Sequence, residues 1–251
     1  MTSIDLNADL GETVGGIPTA DDEAMFAVIS SASIACGGHA GDEETMRVSA
    51  ARAVRLGVAV GAHPSYPDRA GFGRMGIDIG REALTLAIAD QLEALRAAGA
   101  DIRYVKPHGA LYNRIVADRE QAEAVADAVA ALSERLGRAI PLLGLAGAGA
   151  ATAAERGLPF VQEAFLDRGY RADGTLVPRS EPGALLTDPE AVAERAVLLA
   201  REQIVESVDG AVVAVGAASL CVHGDSPGSV AMARAVRAAL DGAGVEVRAP
   251  W

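Results

Sequence analysis

The stretch at residues 33–63, SIACGGHAGDEETMRVSAARAVRLGVAVGAH, is a complete strand, loop, helix and strand. Its first apolar run, 33–35, breaks off at Cys36, Gly37, Gly38 and His39. Asp42 then supplies a helix N-cap, and Glu43 and Glu44 place acids in the first turn, where unpaired N–H groups and the helix dipole favour negative charge. Gly57 stands where a left-handed residue ends the helix, and a second apolar run, 58–61, follows at once. Two strands joined through a helix are expected to lie parallel, with a right-handed crossover.

The same grammar recurs outward in both directions. Further strand-like runs stand at 4–8, 102–105, 141–145, 160–164 and 220–222. Helical stretches begin at Arg81, closing at Gly99, and cover 118–136, 188–203 and 227–240. Seven β units separated by helices predict a parallel sheet, most economically a barrel, in one α/β domain over residues 1–251. The segment 167–187 is rich in Gly, Pro and Arg with little periodicity, the composition of a lid or binding loop.

Composition narrows the partners. A net charge of -12 argues against general nucleic-acid or anionic-membrane binding, both of which need basic patches. The longest apolar run, 211–222, is shorter than the roughly 18 residues that span a bilayer, and the first ten residues lack the pattern of a secretory signal. A cytoplasmic location is expected. Cys36 and Cys221, the two cysteines, form no CxxC pair, so neither a disulfide framework nor a zinc-thiolate site is indicated. Cys36 near His39 can be read as a nucleophile or as packing, and packing is the commoner case for a small cysteine at a strand end.

All four histidines sit in short motifs at strand ends: ACGGHAGD (His39), GAHPSYPD (His63), KPHGALYN (His108) and VHGD (His223). In parallel α/β folds that end of the sheet gathers the ligand-binding loops. The first strand, within DLNADLGE, alternates Asp5, Asn7 and Asp9 with Leu6, Ala8 and Leu10, so the polar set shares one face. Turned inward, those carboxylates need cations, donors or metal; turned outward, they make a wet edge strand. Lys106 can pair with Asp9 or stabilise an oxyanion. Glu163, Asp167, Arg168, Tyr170 and Arg179 surround the long loop, where arginines suit carboxylate or phosphate recognition. His223 with Asp225 reads as an oriented imidazole or as a helix cap. Asp9, His39 and His63 are the candidate ligands of a divalent metal, although such clusters also serve as metal-free acid–base sites. LAGAGAAT at 145–152 lacks both the third glycine of GxGxxG and the lysine of a phosphate loop.

These motifs, in the order DLNADLGE, ACGGHAGD, GAHPSYPD with GFGR, KPHGALYN, EAFLDRGY, GTLVPR and VHGDSP, resemble the LamB/YcsF family over nearly the whole chain. The chain departs from the family's usual pattern at Glu43, Met75 and Leu166. The resemblance implies a distorted seven-stranded (β/α) barrel of the glycoside hydrolase/deacetylase type. It also implies ATP-dependent opening of the lactam 5-oxoproline to L-glutamate, with ATP as cosubstrate and two further 5-oxoprolinase subunits, B and C, as partners. On that reading Asp9, His39, His63, Lys106 and His108 are catalytic: Asp9 or His39 activates water, and Lys106 and His108 stabilise the oxyanion. Asp5, Asn7, Glu12, Arg74, Glu163, Asp167, Arg168, Tyr170, Arg179, His223 and Asp225 then bind substrate. Two other readings use the same residues, a metal-dependent carbohydrate deacetylase or amidase working without ATP and a non-catalytic lactam-binding subunit.

Overall fold

The structure, a computed structural model, describes residues 2–224 and 228–251. Seven parallel strands close into a barrel: β1 (Ser3–Leu10), β2 (Ser31–Ala35), β3 (Ala59–His63), β4 (Ile102–Val105), β5 (Leu142–Gly144), β6 (Phe160–Phe165) and β7 (Ser219–Cys221). They pair in chain order. β7 then pairs with β1, Asp5 opposite Ser219 and Asn7 opposite Cys221, so that no edge of the barrel is left open. A short strand, β8 (Glu246–Val247), adds to the start of β1.

Helices follow the strands as expected. Asp42 caps α2 (Glu43–Leu56) in a reciprocal capping box with Thr45, and Gly57 ends it at φ 67°. α3 (Arg81–Ala97) is followed by Gly99 at φ 92°, and Asp118 and Asp188 cap α5 (Arg119–Leu136) and α7 (Pro189–Glu202). α8 spans Ser229–Gly242; Pro227, where its start was expected, lies outside the described residues. None of these helices is long and apolar enough to cross a membrane.

Three short helices have little sequence signal: α1 (Asp22–Phe26), α4 (Gly109–Arg114) and α6 (Ala148–Glu155). The apolar run 211–222 proves to be two strands, because Val212–Ala214 turns back on Ile204–Glu206 as an outer hairpin before β7 begins. Its Val212 is exposed, so apolarity there did not mean a core strand.

Alternation along β1 decides what fills the barrel. Leu6, Ala8 and Leu10 join the apolar core, whereas Asp5 and Asn7 are fully buried and bond to side chains of neighbouring strands. The wet-edge alternative for β1 is thereby excluded. Asp5 accepts hydrogen bonds from Ser30, Ser31 and Ser219, all near the barrel floor. There Trp251 donates from Nε1 to Ser31 Oγ at 2.9 Å and stacks on Tyr104 at 4.3 Å. Tyr104 lies against Gly61, where an added Cβ would come within 2.2 Å of its ring.

Burial raises the Asp5 carboxyl to about 6, against the bonds from Ser219, Ser30 and Ser31. A carboxyl raised on folding favours the folded state at low pH, and that contribution is lost as pH climbs from about 4 through about 6. Asp5→Asn is therefore expected to flatten the decline in urea-unfolding stability over this window. At pH 7 it should gain up to about 3 kcal/mol on the wild type; parallel stability curves would refute the assignment. Gly61→Ala is expected to cost roughly 1–3 kcal/mol by overpacking against Tyr104, read from the same unfolding curves.

Candidate active site

β1 carries Asp9 to the carboxyl end of the barrel, where β3 ends on His63 and β4 runs into Lys106 and His108. Lys106 is buried, and its Nζ lies 3.0 Å from Asp9 Oδ1, 3.0 Å from Glu163 Oε1 and 3.0 Å from Asn7 Oδ1, with Cys221 Sγ at 3.2 Å. The ammonium donates to Asn7 Oδ1 and to the Cys221 sulfur and is ion-paired with the two carboxylates. Asn7 fixes the arrangement from below by donating through Nδ2 to Glu163 Oε1 at 2.7 Å and to Ser219 Oγ at 2.8 Å. Tyr112 donates to the other Glu163 oxygen at 2.9 Å.

Asp9 Oδ2 faces His63 Nε2 at 3.4 Å. Burial acts to raise the Asp9 carboxyl, yet the charges of His63 and Lys106 outweigh it and hold it well below the carboxylate range. For His63 burial acts to lower the pKa, and the Asp9 charge overcomes it and raises it. The Asp9 carboxylate thus favours the protonated form of His63. His108 and His39 behave oppositely, since burial and then the positive His63 lower them to about 3 and about 2.

The imidazoles form a compact group. His39 and His108 stack at 3.6 Å with planes 1° apart, and His63 stands edge-on to both. Glu12 Oε1 lies 3.0 Å from His39 Nε2 and 3.5 Å from His108 Nδ1. His39 Nδ1 is buried without a hydrogen-bond partner. Glu12, His39, His63 and His108 bring ligand atoms within 4.8 Å of one another and so form a possible metal site. This differs from the expected set, because Asp9 is drawn off to Lys106 while Glu12 and His108 take its place. Ring orientation does not suit one ion bound by all four. The in-plane lone pairs of parallel rings lie in parallel planes, so an ion in the plane of His39 is out of the plane of His108.

A cavity of about 360 Å³ opens over this floor. Asp9, Glu12, His63, Lys106 and His108 line it, together with Arg74, Arg168, Arg179 and His223. His39 stacks against His108 and is absent from the lining. His223 is oriented through Nδ1 by Asp167, both of whose oxygens lie at 2.8 Å, and its ring packs on Phe165. The expected partner Asp225 lies outside the described residues.

Several expected contacts fall elsewhere. Asp5 is on the barrel floor, below the cavity. Tyr170 is buried with its hydroxyl accepting from the Phe165 amide at 2.7 Å, off the cavity wall. Asn7, Glu163 and Asp167 support lining residues without being part of the wall. Arg168 borders the cavity, but its guanidinium donates to the Ala184 and Val177 carbonyls, so it braces the long loop; Arg179 is the loop's other arginine on the wall. Cys36 is packing, because burial pushes its thiol up to about 12 while the His63 amide donates to its sulfur. Phe72 and Phe165, two aromatics that a search for polar groups passes over, complete the surroundings; Phe72 stands between the glycines of GFGR.

The LamB/YcsF family profile matches residues 4–250. The A-subunit of 5-oxoprolinase from Streptomyces griseus subsp. griseus is 54% identical over 251 residues, covering 98% of this chain and 99% of the relative. Its counterpart of the same name from Mycobacterium avium is 50% identical over 254 residues, covering 99% of each. Among solved structures, the lactam utilization protein of Thermus thermophilus matches with a TM-score of 0.92 and 43% identity, over 98% of this chain and 99% of that one. With the barrel, the strand-end motifs and these relatives in agreement over the whole length, the chain belongs to the LamB/YcsF family.

Proposed function

We propose that this chain is the lactam-opening component of an ATP-dependent 5-oxoprolinase and works with two partner subunits, B and C. The observation that carries the reading is the cavity itself. It is sized for one small ring, with a held cation and anion on its floor and arginines on its wall. The names of the relatives support the same substrate class.

A five-membered lactam resists water because its carbonyl is resonance-stabilised and its nitrogen is a poor leaving group. Transfer of a phosphoryl group from ATP to the amide oxygen removes both obstacles. Since 145–152 lacks the lysine of a phosphate loop, the ATP step falls to the assembly with subunits B and C. The activated ring then meets water here. His223, whose Nδ1 is tied to Asp167, presents Nε2 as the general base, in place of the Asp9 or His39 expected from sequence. Asp9 is too weak a base between two cations, and burial holds His39 low. As water adds to the carbon, the C–N bond breaks and the ring nitrogen takes the proton of cationic His63. The acyl phosphate left behind is hydrolysed by a second water to glutamate and phosphate. Lys106, ion-paired with Asp9 and Glu163, holds Asp9 in place, and Arg74 and Arg179 face the substrate carboxylate or phosphoryl group.

Glutamate formation from 5-oxoproline and ATP by the reconstituted assembly tests this. His223→Ala is expected to lower kcat roughly 10²- to 10⁴-fold, and undiminished turnover would remove it as the base. Because Asp9 raises the His63 pKa, activity that needs the imidazolium is lost as pH rises through that pKa. Asp9→Asn should therefore move the alkaline limb of the kcat profile to lower pH. A limb that stays in place would remove His63 as the acid.

A further inference from the structure

A neutral imidazole carries one proton, and the nitrogen that faces an obligatory acceptor must hold it. His63 Nδ1 lies 2.7 Å from the Lys106 carbonyl oxygen, so Nδ1 is an N–H. His108 Nε2 lies 2.9 Å from the Phe72 carbonyl oxygen, so that nitrogen is an N–H too. The His108 proton is thereby kept off Nδ1, whose bare lone pair faces His63 Nε2 at 3.0 Å. A proton on His63 Nε2 then completes an unbroken chain, with His63 donating to the Lys106 carbonyl and to His108, and His108 donating to the Phe72 carbonyl. The opposite tautomer of His108 would set two N–H groups against each other and leave the Phe72 carbonyl without its donor.

We propose that Phe72 is a positioning residue: its left-handed backbone aims a carbonyl at His108 Nε2 and so selects the His108 tautomer that accepts the His63 proton. Phe72 stands at φ 54°, a region uncommon for a bulky aromatic. The turn around it is fixed independently at several points. Asp68 accepts from the Gly71 amide through Oδ1 and from the Gly73 amide through its own carbonyl, both at 2.8 Å. Arg69 reaches across to the Gly37 and Gly41 carbonyls on either side of His39. Gly73 lies so close to the rings that an added Cβ would meet His39 Cβ at 2.9 Å and His108 Cδ2 at 3.0 Å. Strain held by several surrounding contacts in this way is a mark of functional segments. The Phe72 ring is also edge-on to His39 and His108, at 5.3 and 5.5 Å, so the backbone role must be separated from the packing role.

Two substitutions make that separation. Asn tolerates the left-handed region, whereas β-branched Val resists it, and both remove the ring. Nitrogen chemical shifts of ¹⁵N-histidine-labelled full-length chain report the tautomer directly. Phe72→Asn is expected to keep the Nε2–H form of His108, and Phe72→Val to give a mixture of tautomers. In the assembly, Val should lower kcat roughly tenfold with KM within about twofold, because the proton chain and not substrate binding is disturbed. An unchanged tautomer in Phe72→Val overturns the proposal, and so does equal loss in Asn and Val, which would assign the effect to the ring. The catalytic part rests on the proposed lactam-opening function, and the tautomer does not. Absence of glutamate formation by the wild-type assembly would sink that function while the spectra still decided the role of Phe72.

Discussion

The Lys106 ammonium, buried between Asp9 and Glu163, is the interaction on which the rest of the site depends. An unpaired ammonium inside a barrel would be driven to lose its proton, and two carboxylates without it would repel. Removing one member of such a buried ion group leaves a stranded charge, at a cost of about 3–5 kcal/mol. Three strands supply its parts: β1 gives Asn7 and Asp9, the end of β4 leads into Lys106, and β6 gives Glu163. The barrel must close for them to meet. Register and charge balance are therefore one constraint, because a one-residue slip of β1 would turn the whole polar set towards the helices.

The same balance sorts the histidines. The Asp9 carboxylate raises the His63 pKa, while burial, helped by positive charge at His63, lowers those of His108 and His39. Three imidazoles within a few ångströms would otherwise compete for the same protons. Burial alone would lower all of them, so the distinction comes from which ring touches Asp9.

The barrel was legible because its signals are local. Asp42 with its two following acids, Gly57 and the period-two pattern of DLNADL each act within a few residues, and the structure repeats them nearly unchanged. The polar floor was legible for a similar reason, since an inward-facing carboxylate has few acceptable surroundings. Of the pairings across the barrel, the one between Lys106 and Asp9 was legible and is present. That Lys106 also meets Asn7 and Glu163, that Asp167 orients His223, and that Arg168 binds loop carbonyls depend on which distant strand ends become neighbours. Glu12 lines the cavity and also stands among the imidazoles, a placement that was not legible, because the chain turns at Gly11, φ 71°, immediately after β1. Phe72 escaped attention because its contribution comes from a carbonyl that every residue possesses.

The stacked pair Tyr104 and Trp251 has a consequence for traffic. With the far end of the barrel filled by two aromatic rings and the serine-bound Asp5, the doorway that the described residues leave to the cavity is at the carboxyl ends of the strands. A small molecule and whatever is made from it must share that doorway, so the pocket can accept a new ligand only after it has emptied. Any protein that hands over a reactive intermediate must sit at the same opening, and by sitting there it also decides when the pocket drains.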